Sequence, residues 1–106
     1  MYKRQAYTDG ACLYFTFGGR GPDGDAEWRE RYYRTAWDTI TDATLAHGAA
    51  ISHHHGIGLN RSRFLPRALG SGFDVLEGLK ATFDPNGILN PGKFGLGSPF
   101  GPAPWT

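Results

Sequence analysis

Ala26-Glu27-Trp28-Arg29-Glu30-Arg31-Tyr32-Tyr33-Arg34-Thr35-Ala36-Trp37-Asp38-Thr39-Ile40-Thr41-Asp42-Ala43-Thr44-Leu45-Ala46 carries the clearest single period in the chain. Trp28, Tyr32, Ala36, Ile40 and Ala43 recur at spacings of three and four, which predicts a helix over 26–46 with one apolar stripe. Tyr33 and Trp37 widen that stripe, whereas Arg29, Glu30, Arg34 and Asp38 fall outside it and are expected to be solvated. Asp23 or Asp25 can cap the first turn, where Glu27 adds favourable charge, and Gly48 supplies the stop. His47 then sits at the negative end of the helix dipole, as a capping residue rather than a catalyst.

Outward from this helix, the chain reads as strand on both sides. From Gln5 to Phe17, the apolar residues Ala11, Leu13, Phe15 and Phe17 alternate with Cys12, Tyr14 and Thr16, the pattern of a half-buried strand. After the helix, Ala49-Ala50-Ile51 reads as a second short strand. Strand, helix and strand together predict a βαβ-like unit with parallel strands and a right-handed crossover. The expected class is α+β: a small sheet with helices on one face. Leu13, Phe15 and Phe17 are expected beneath the helix, which sends Tyr14 to the far face near the carboxyl end of its strand.

Ser52-His53-His54-His55-Gly56-Ile57-Gly58 follows the second strand. Histidine exchanges protons near neutral pH, and loops at strand ends are where such groups usually act. If the run is extended, His53 and His55 share one face and His54 takes the other. The convergence of Tyr14 with these histidines at the carboxyl ends of the strands is therefore a spatial expectation. Metal binding through His53 and His55 is the weaker reading, because no cysteine or neighbouring carboxylate completes a ligand set; no metal site is predicted. A polar exposed edge is the bland alternative, and an active site the preferred one. Arg61 and Arg63, just beyond, can clamp a phosphate or carboxylate or form a solvated basic turn. Gly56-Ile57-Gly58 lacks the fuller dinucleotide-binding pattern.

A helical turn is expected across Asn60 to Arg67, and a second helix from Ser71 carrying Phe73, Val75, Leu76, Leu79 and Phe83 and stopping at Pro85. Asp84-Pro85-Asn86-Gly87 and Asn90-Pro91-Gly92 are turn sequences around Ile88-Leu89. Residues 95–106 read as a flexible Gly/Pro-rich tail after one domain over 1–94. The chain of 106 residues has a formal net charge of +1, with no basic stripe to mark a nucleic-acid partner. Cys12 is the only cysteine, which excludes an intrachain disulfide and favours a reducing, cytoplasmic setting. No apolar run approaches the length of a membrane span or a signal peptide.

Three blocks in order, Tyr7-Thr8-Asp9-Gly10-Ala11-Cys12-Leu13-Tyr14-Phe15, Ser52-His53-His54-His55-Gly56-Ile57-Gly58 and Phe83-Asp84-Pro85-Asn86-Gly87-Ile88-Leu89-Asn90-Pro91-Gly92-Lys93, carry a family likeness. Together they resemble the C-terminal region, or cap domain, of FAD-linked oxidases of the vanillyl-alcohol oxidase superfamily. The first two blocks are most similar to the alkyldihydroxyacetonephosphate synthases, flavoproteins of ether lipid biosynthesis. The last looks more like the wider oxidase group, including D-2-hydroxy acid dehydrogenases.

The resemblance implies FAD as cofactor, with the main FAD-binding domain expected to be missing from this chain, so that the isolated chain is inactive. It implies Tyr14 as a general acid/base, His53, His54 and His55 as catalytic imidazoles, and His54, His55, Gly56 and Asn90 as residues facing the flavin. Arg61, and more weakly Arg63, are expected to hold a substrate phosphate. The implied reaction exchanges acyl for alkyl on dihydroxyacetone phosphate through a flavin N5 adduct. The alternatives are an FAD-dependent D-2-hydroxy acid dehydrogenase, acting on a small hydroxy acid rather than a lipid precursor, and a non-catalytic module that forms a homodimer through its uncovered sheet face.

Overall fold

The structure, a computed structural model, describes residues 2–102. Among these residues it contains two strands, β1 (Tyr2–Ala6) and β2 (Ala11–Tyr14), and four helices, α1 (Ala26–Ala46), α2 (Gly58–Ser62), α3 (Leu65–Leu69) and α4 (Gly72–Phe83). The class is α+β, with helix predominating. The chain forms two compact units, Met1–Thr39 and Ile40–Thr106, and α1 runs from one into the other. Among the described residues no helix is long and apolar enough to cross a membrane.

In the first unit the expected single strand is a hairpin. Tyr7 N–H donates to Gly10 O at 2.7 Å, closing a turn that contains Asp9-Gly10, residue types that tolerate tight backbone reversal. The chain then doubles back, so that β2 pairs antiparallel with β1, Tyr14 opposite Tyr2 and Ala11 opposite Ala6, with a register shift between Lys3 and Gln5. Alternation along β2 is present with its faces exchanged. Cys12 and Tyr14 are half-buried, while Leu13 and Phe15 are 44% and 59% exposed. Period alone places residues on a face; it does not say which face is covered.

Residues 15–25 run back along α1. The Phe17 ring meets Trp37 edge-on at 6.4 Å, and Trp37 meets Tyr33 at 6.3 Å. Trp28 and Tyr32 stack with centroids 5.1 Å apart and planes 7° from parallel. The backbone lies so close to this stack that a Cβ at Gly19 would fall 2.3 Å from Tyr32 Cζ, and one at Gly21 2.1 Å from Trp28 Cε3. Glycine is required at both positions because no other residue leaves that space empty. Asp25 caps α1 by accepting from Trp28 N–H at 2.7 Å, which selects it over Asp23.

The second unit takes over within α1, whose last turns bury Thr41. Gly48 adopts φ +68° and donates to Leu45 O, while Ala49 N–H donates to Thr44 O. This paired closure of the last carbonyls ends the helix. It also consumes the first amide of the run expected as a second strand. Residues 49–57 have no regular structure, and the βαβ-like unit does not form in the described residues. Three apolar positions between a helix stop and a histidine turn find no strand to pair with.

Phe64 and Leu65, each 7% exposed, and Phe73, 9% exposed, form the apolar centre of this unit where α3 meets α4. Burial of this kind contributes about 1.5–3 kcal/mol per side chain. Phe73 and Leu76 face inward on α4, whereas Val75, Leu79 and Phe83, four residues apart, form an exposed stripe. Arg67 on α3 forms an ion pair with Asp42 on α1. The stretch expected as a tail folds back in its described part. A Cβ at Gly95 would lie 2.9 Å from Ser62 O, and Gly92 N–H donates to Gly97 O at 3.2 Å. Residues 103–106 lie outside the described residues.

Two substitutions test these closures. Gly48→Ala is expected to cost about 1 kcal/mol, because alanine is strained at positive φ. Gly21→Ala is expected to cost about 1–3 kcal/mol by pushing Trp28 off Tyr32. Urea unfolding midpoints measure both, and near-UV circular dichroism should report loss of the aromatic signal in Gly21→Ala alone.

Candidate functional site

The three histidines sit in a turn rather than a strand. Ser52 Oγ donates to Gly56 O at 2.7 Å, and Gly56 reverses the chain at φ +74°. His53, His54 and His55 lie within that closure, all exposed. Successive rings meet edge to face, His53 with His54 and His54 with His55, each with centroids 4.5 Å apart and planes at 85° and 90°. Division of the histidines between two sheet faces is thereby overturned: the hydroxyl–carbonyl bond curls the segment, and all three imidazoles reach solvent from one loop. Among the described residues no group of three or more His, Cys, Asp or Glu side chains is arranged to hold a metal ion.

Helix α2 follows directly, with Arg61 in its last turn and Arg63 just past its end, and the two are used differently. Arg61 Nη1 lies 3.5 Å from Gly56 O, so this guanidinium reaches the carbonyl that closes the histidine turn. Arg63 turns away: its guanidinium carbon lies 4.4 Å from the centre of the Phe64 ring, and Nη1 donates to Asn60 O at 3.1 Å. Of the two arginines expected to share a phosphate, Arg61 stands beside the histidines and Arg63 packs on the core. Their spacing of two along a helix points them in different directions.

The third block is held by a buried carboxylate. Asp84, 7% exposed, accepts from Ile88 N–H at 3.0 Å and from Leu89 N–H at 2.9 Å. Lys80, one turn earlier on α4, pairs with Asp84 Oδ2 at 2.5 Å and also donates to Leu89 O. The Lys80 hydrogen bond, with help from the Leu89 and Ile88 amides and the lysine charge, holds the Asp84 carboxyl below its ordinary range against the opposing effect of burial. Beyond this clamp Asn90 is exposed and adopts φ +49°. Reading the sequence places Asp84 only in a turn; the signal for more is the i, i+4 pair Lys80/Asp84 at a helix end followed by Pro-Asn-Gly.

Tyr14 ends β2 in the first unit, half-buried, and the histidines, Arg61 and Asn90 belong to the second. Cys12 is half-buried on the same strand. A shallow concavity along Glu27, Glu30, Arg31, Arg34 and Thr35 lies on the surface of α1 alone and is no enclosure for a ligand.

Residues 3–94 match the family described as FAD linked oxidases, C-terminal domain. The chain belongs to this family. Uncharacterized FAD-linked oxidoreductase YgcU of Escherichia coli strain K12 is 35% identical over 92 residues, covering 86% of this chain and 19% of the relative. Alkyldihydroxyacetonephosphate synthase of Dictyostelium discoideum is 35% identical over 88 residues, covering 82% and 14%. D-lactate dehydrogenase of Anaerostipes hadrus is 49% identical over 57 residues, covering 53% and 12%. The chain thus spans less than a fifth of each of these relatives. No solved structure gives a significant match. FAD is the cofactor by which the FAD-linked oxidase family is defined, and the residues here suit it chemically. The histidine turn offers exposed imidazoles, which both donate and accept hydrogen bonds, and Asn90 offers a carboxamide at a pinned turn.

Acid should release the Asp84 clamp. A carboxyl whose folded pKa is depressed stabilises the fold above its unfolded value and loses that contribution as pH falls through the folded value. Stability should therefore drop on acidification below the ordinary 3.8. Asp84→Asn should be less stable than the parent at pH 7, and the gap between their unfolding midpoints should narrow below that value. A gap independent of pH would contradict the clamp.

Proposed function

We propose that this chain is the substrate- and flavin-covering part of an FAD-dependent enzyme that exchanges acyl for alkyl on dihydroxyacetone phosphate, in the manner of alkyldihydroxyacetonephosphate synthase. The observation that carries this reading is the breadth of the match: the synthase relative aligns over 82% of the chain, from a protein of that name, and the dehydrogenase over 53%. The exposed histidine turn with Arg61 beside it supports the same reading, because imidazoles that move protons and a guanidinium that binds phosphate are what such a substrate demands.

FAD, when bound, supplies the electron-accepting ring at which the substrate carbon reacts. His54, His55, Gly56 and Asn90 are the residues assigned to face it. Tyr14 moves the proton at the substrate carbon, and a histidine of the turn takes the proton of the hydroxyl. Arg61 holds the phosphate; Arg63, packed on Phe64, acts only through the core. The principal FAD-binding surface and the rest of the catalytic apparatus are assigned to protein outside these residues, so the 106-residue chain alone should be inactive.

A second reading, an FAD-dependent D-2-hydroxy acid dehydrogenase, is favoured by the 49% identity to D-lactate dehydrogenase. In it a histidine removes the hydroxyl proton while the substrate is oxidised.

The full reading frame that contains this chain, purified with FAD, separates the two. Acyl-dihydroxyacetone phosphate plus a long-chain alcohol should yield alkyl-dihydroxyacetone phosphate and free fatty acid. Oxidation of D-lactate or D-2-hydroxyglutarate with reduction of a dye would install the second reading instead, and neither product would sink both. Tyr14→Phe should lower kcat by roughly 100-fold or more, the contribution expected of a positioned proton donor.

A further inference from the structure

We infer that Lys80 and Asp84 are positioning residues for the cofactor turn, acting through Ile88-Leu89 to fix Asn90 where it meets the flavin; this rests on the proposed role of Asn90. Neither side chain needs to touch the cofactor. The side chains of Lys80 and Asp84 are 23% and 4% exposed, and their bonds are spent within the fold. Three backbone groups on the approach to Asn90 are engaged by this pair. Asp84 accepts from the amides of Ile88 and Leu89 through its two separate oxygens, and Lys80 donates both to Asp84 and to the Leu89 carbonyl.

Leu89, the residue before Asn90, is therefore held at its own N–H and its own carbonyl by one ion pair at the end of α4. Asn90 adopts φ +49°, a conformation open to asparagine but sparsely populated by other L-residues. It persists only where the neighbouring chain over-determines it. Ile88 and Leu89 cannot supply that restraint by burial, since they are 65% and 60% exposed. The restraint comes from the polar clamp, and the exposed asparagine carboxamide is the group it leaves presented.

The test uses the full reading frame and measures FAD affinity by quenching of flavin fluorescence, apart from turnover. Asn90→Ala should weaken FAD binding about tenfold, and Lys80→Met should do the same, the scale seen when an orienting partner is removed behind a binding residue. Because both act through one contact, the double variant should lose about tenfold rather than about a hundredfold. Lys80→Arg should restore most of the affinity, since it keeps a cation at the carboxylate. Gly48→Ala, a destabilising change at the end of α1, should leave FAD affinity unchanged and so exclude general loosening as the cause.

If Asn90→Ala binds FAD as the parent does, the role of Asn90 fails and this inference with it. If Asn90→Ala weakens binding but Lys80→Met does not, or if the double variant is additive, the positioning role is overturned while Asn90 keeps its place. Should Lys80→Met fail to fold, Asp84→Asn carries the same double-variant comparison with the same outcomes.

Discussion

The carboxylate of Asp84, almost fully buried and bonded to one ammonium and two backbone amides, makes the end of α4 a fixed platform for the segment after it. A chain of this size buries few large side chains, and here the apolar centre of the second unit rests on Phe64, Leu65 and Phe73. Its irregular segments must be held some other way. They are held by polar closures: Asp25 at the start of α1 and Gly48 and Ala49 at its end satisfy orphan helix groups, and Asp84 after α4 binds two loop amides. A carboxylate with four lone-pair directions can tie down several donors at once, which no apolar contact does.

The same economy explains the histidine turn. One hydroxyl–carbonyl bond, Ser52 to Gly56, converts what would have been an extended run into a loop with three adjacent imidazoles outward. In a strand they would be divided between two faces and at most two would serve one substrate. Arg61, half-buried, reaches the carbonyl that closes the loop, so its guanidinium lies at the base of the histidine turn. Arg63, two residues on, is drawn in by the Phe64 ring.

Apolar surface left open on both units completes the picture. Leu13 on β2 with Phe15 just beyond it, and Val75, Leu79 and Phe83 on α4, keep the spacing of packed faces while remaining exposed. They accompany a domain that spans 12–19% of the relatives compared with it.

Residues near one another in sequence decided much of this protein by themselves. The bounds of α1, its acidic cap and its glycine stop, the extent of α4 and its halt before Pro85 all follow from i, i+3 and i, i+4 neighbours and from caps, which are local interactions. The three ordered blocks likewise carried the family, because a motif is read in sequence. Tertiary structure decided what depends on other segments: that Ala11–Tyr14 pairs back on Tyr2–Ala6, that the Tyr14 side of β2 is the more covered one, that Ala49-Ala50-Ile51 finds no strand to join among the described residues, and that Asp84 grips the amides of Ile88 and Leu89. Strand pairing and burial are set by whichever surface arrives opposite, and no period within a segment contains that information.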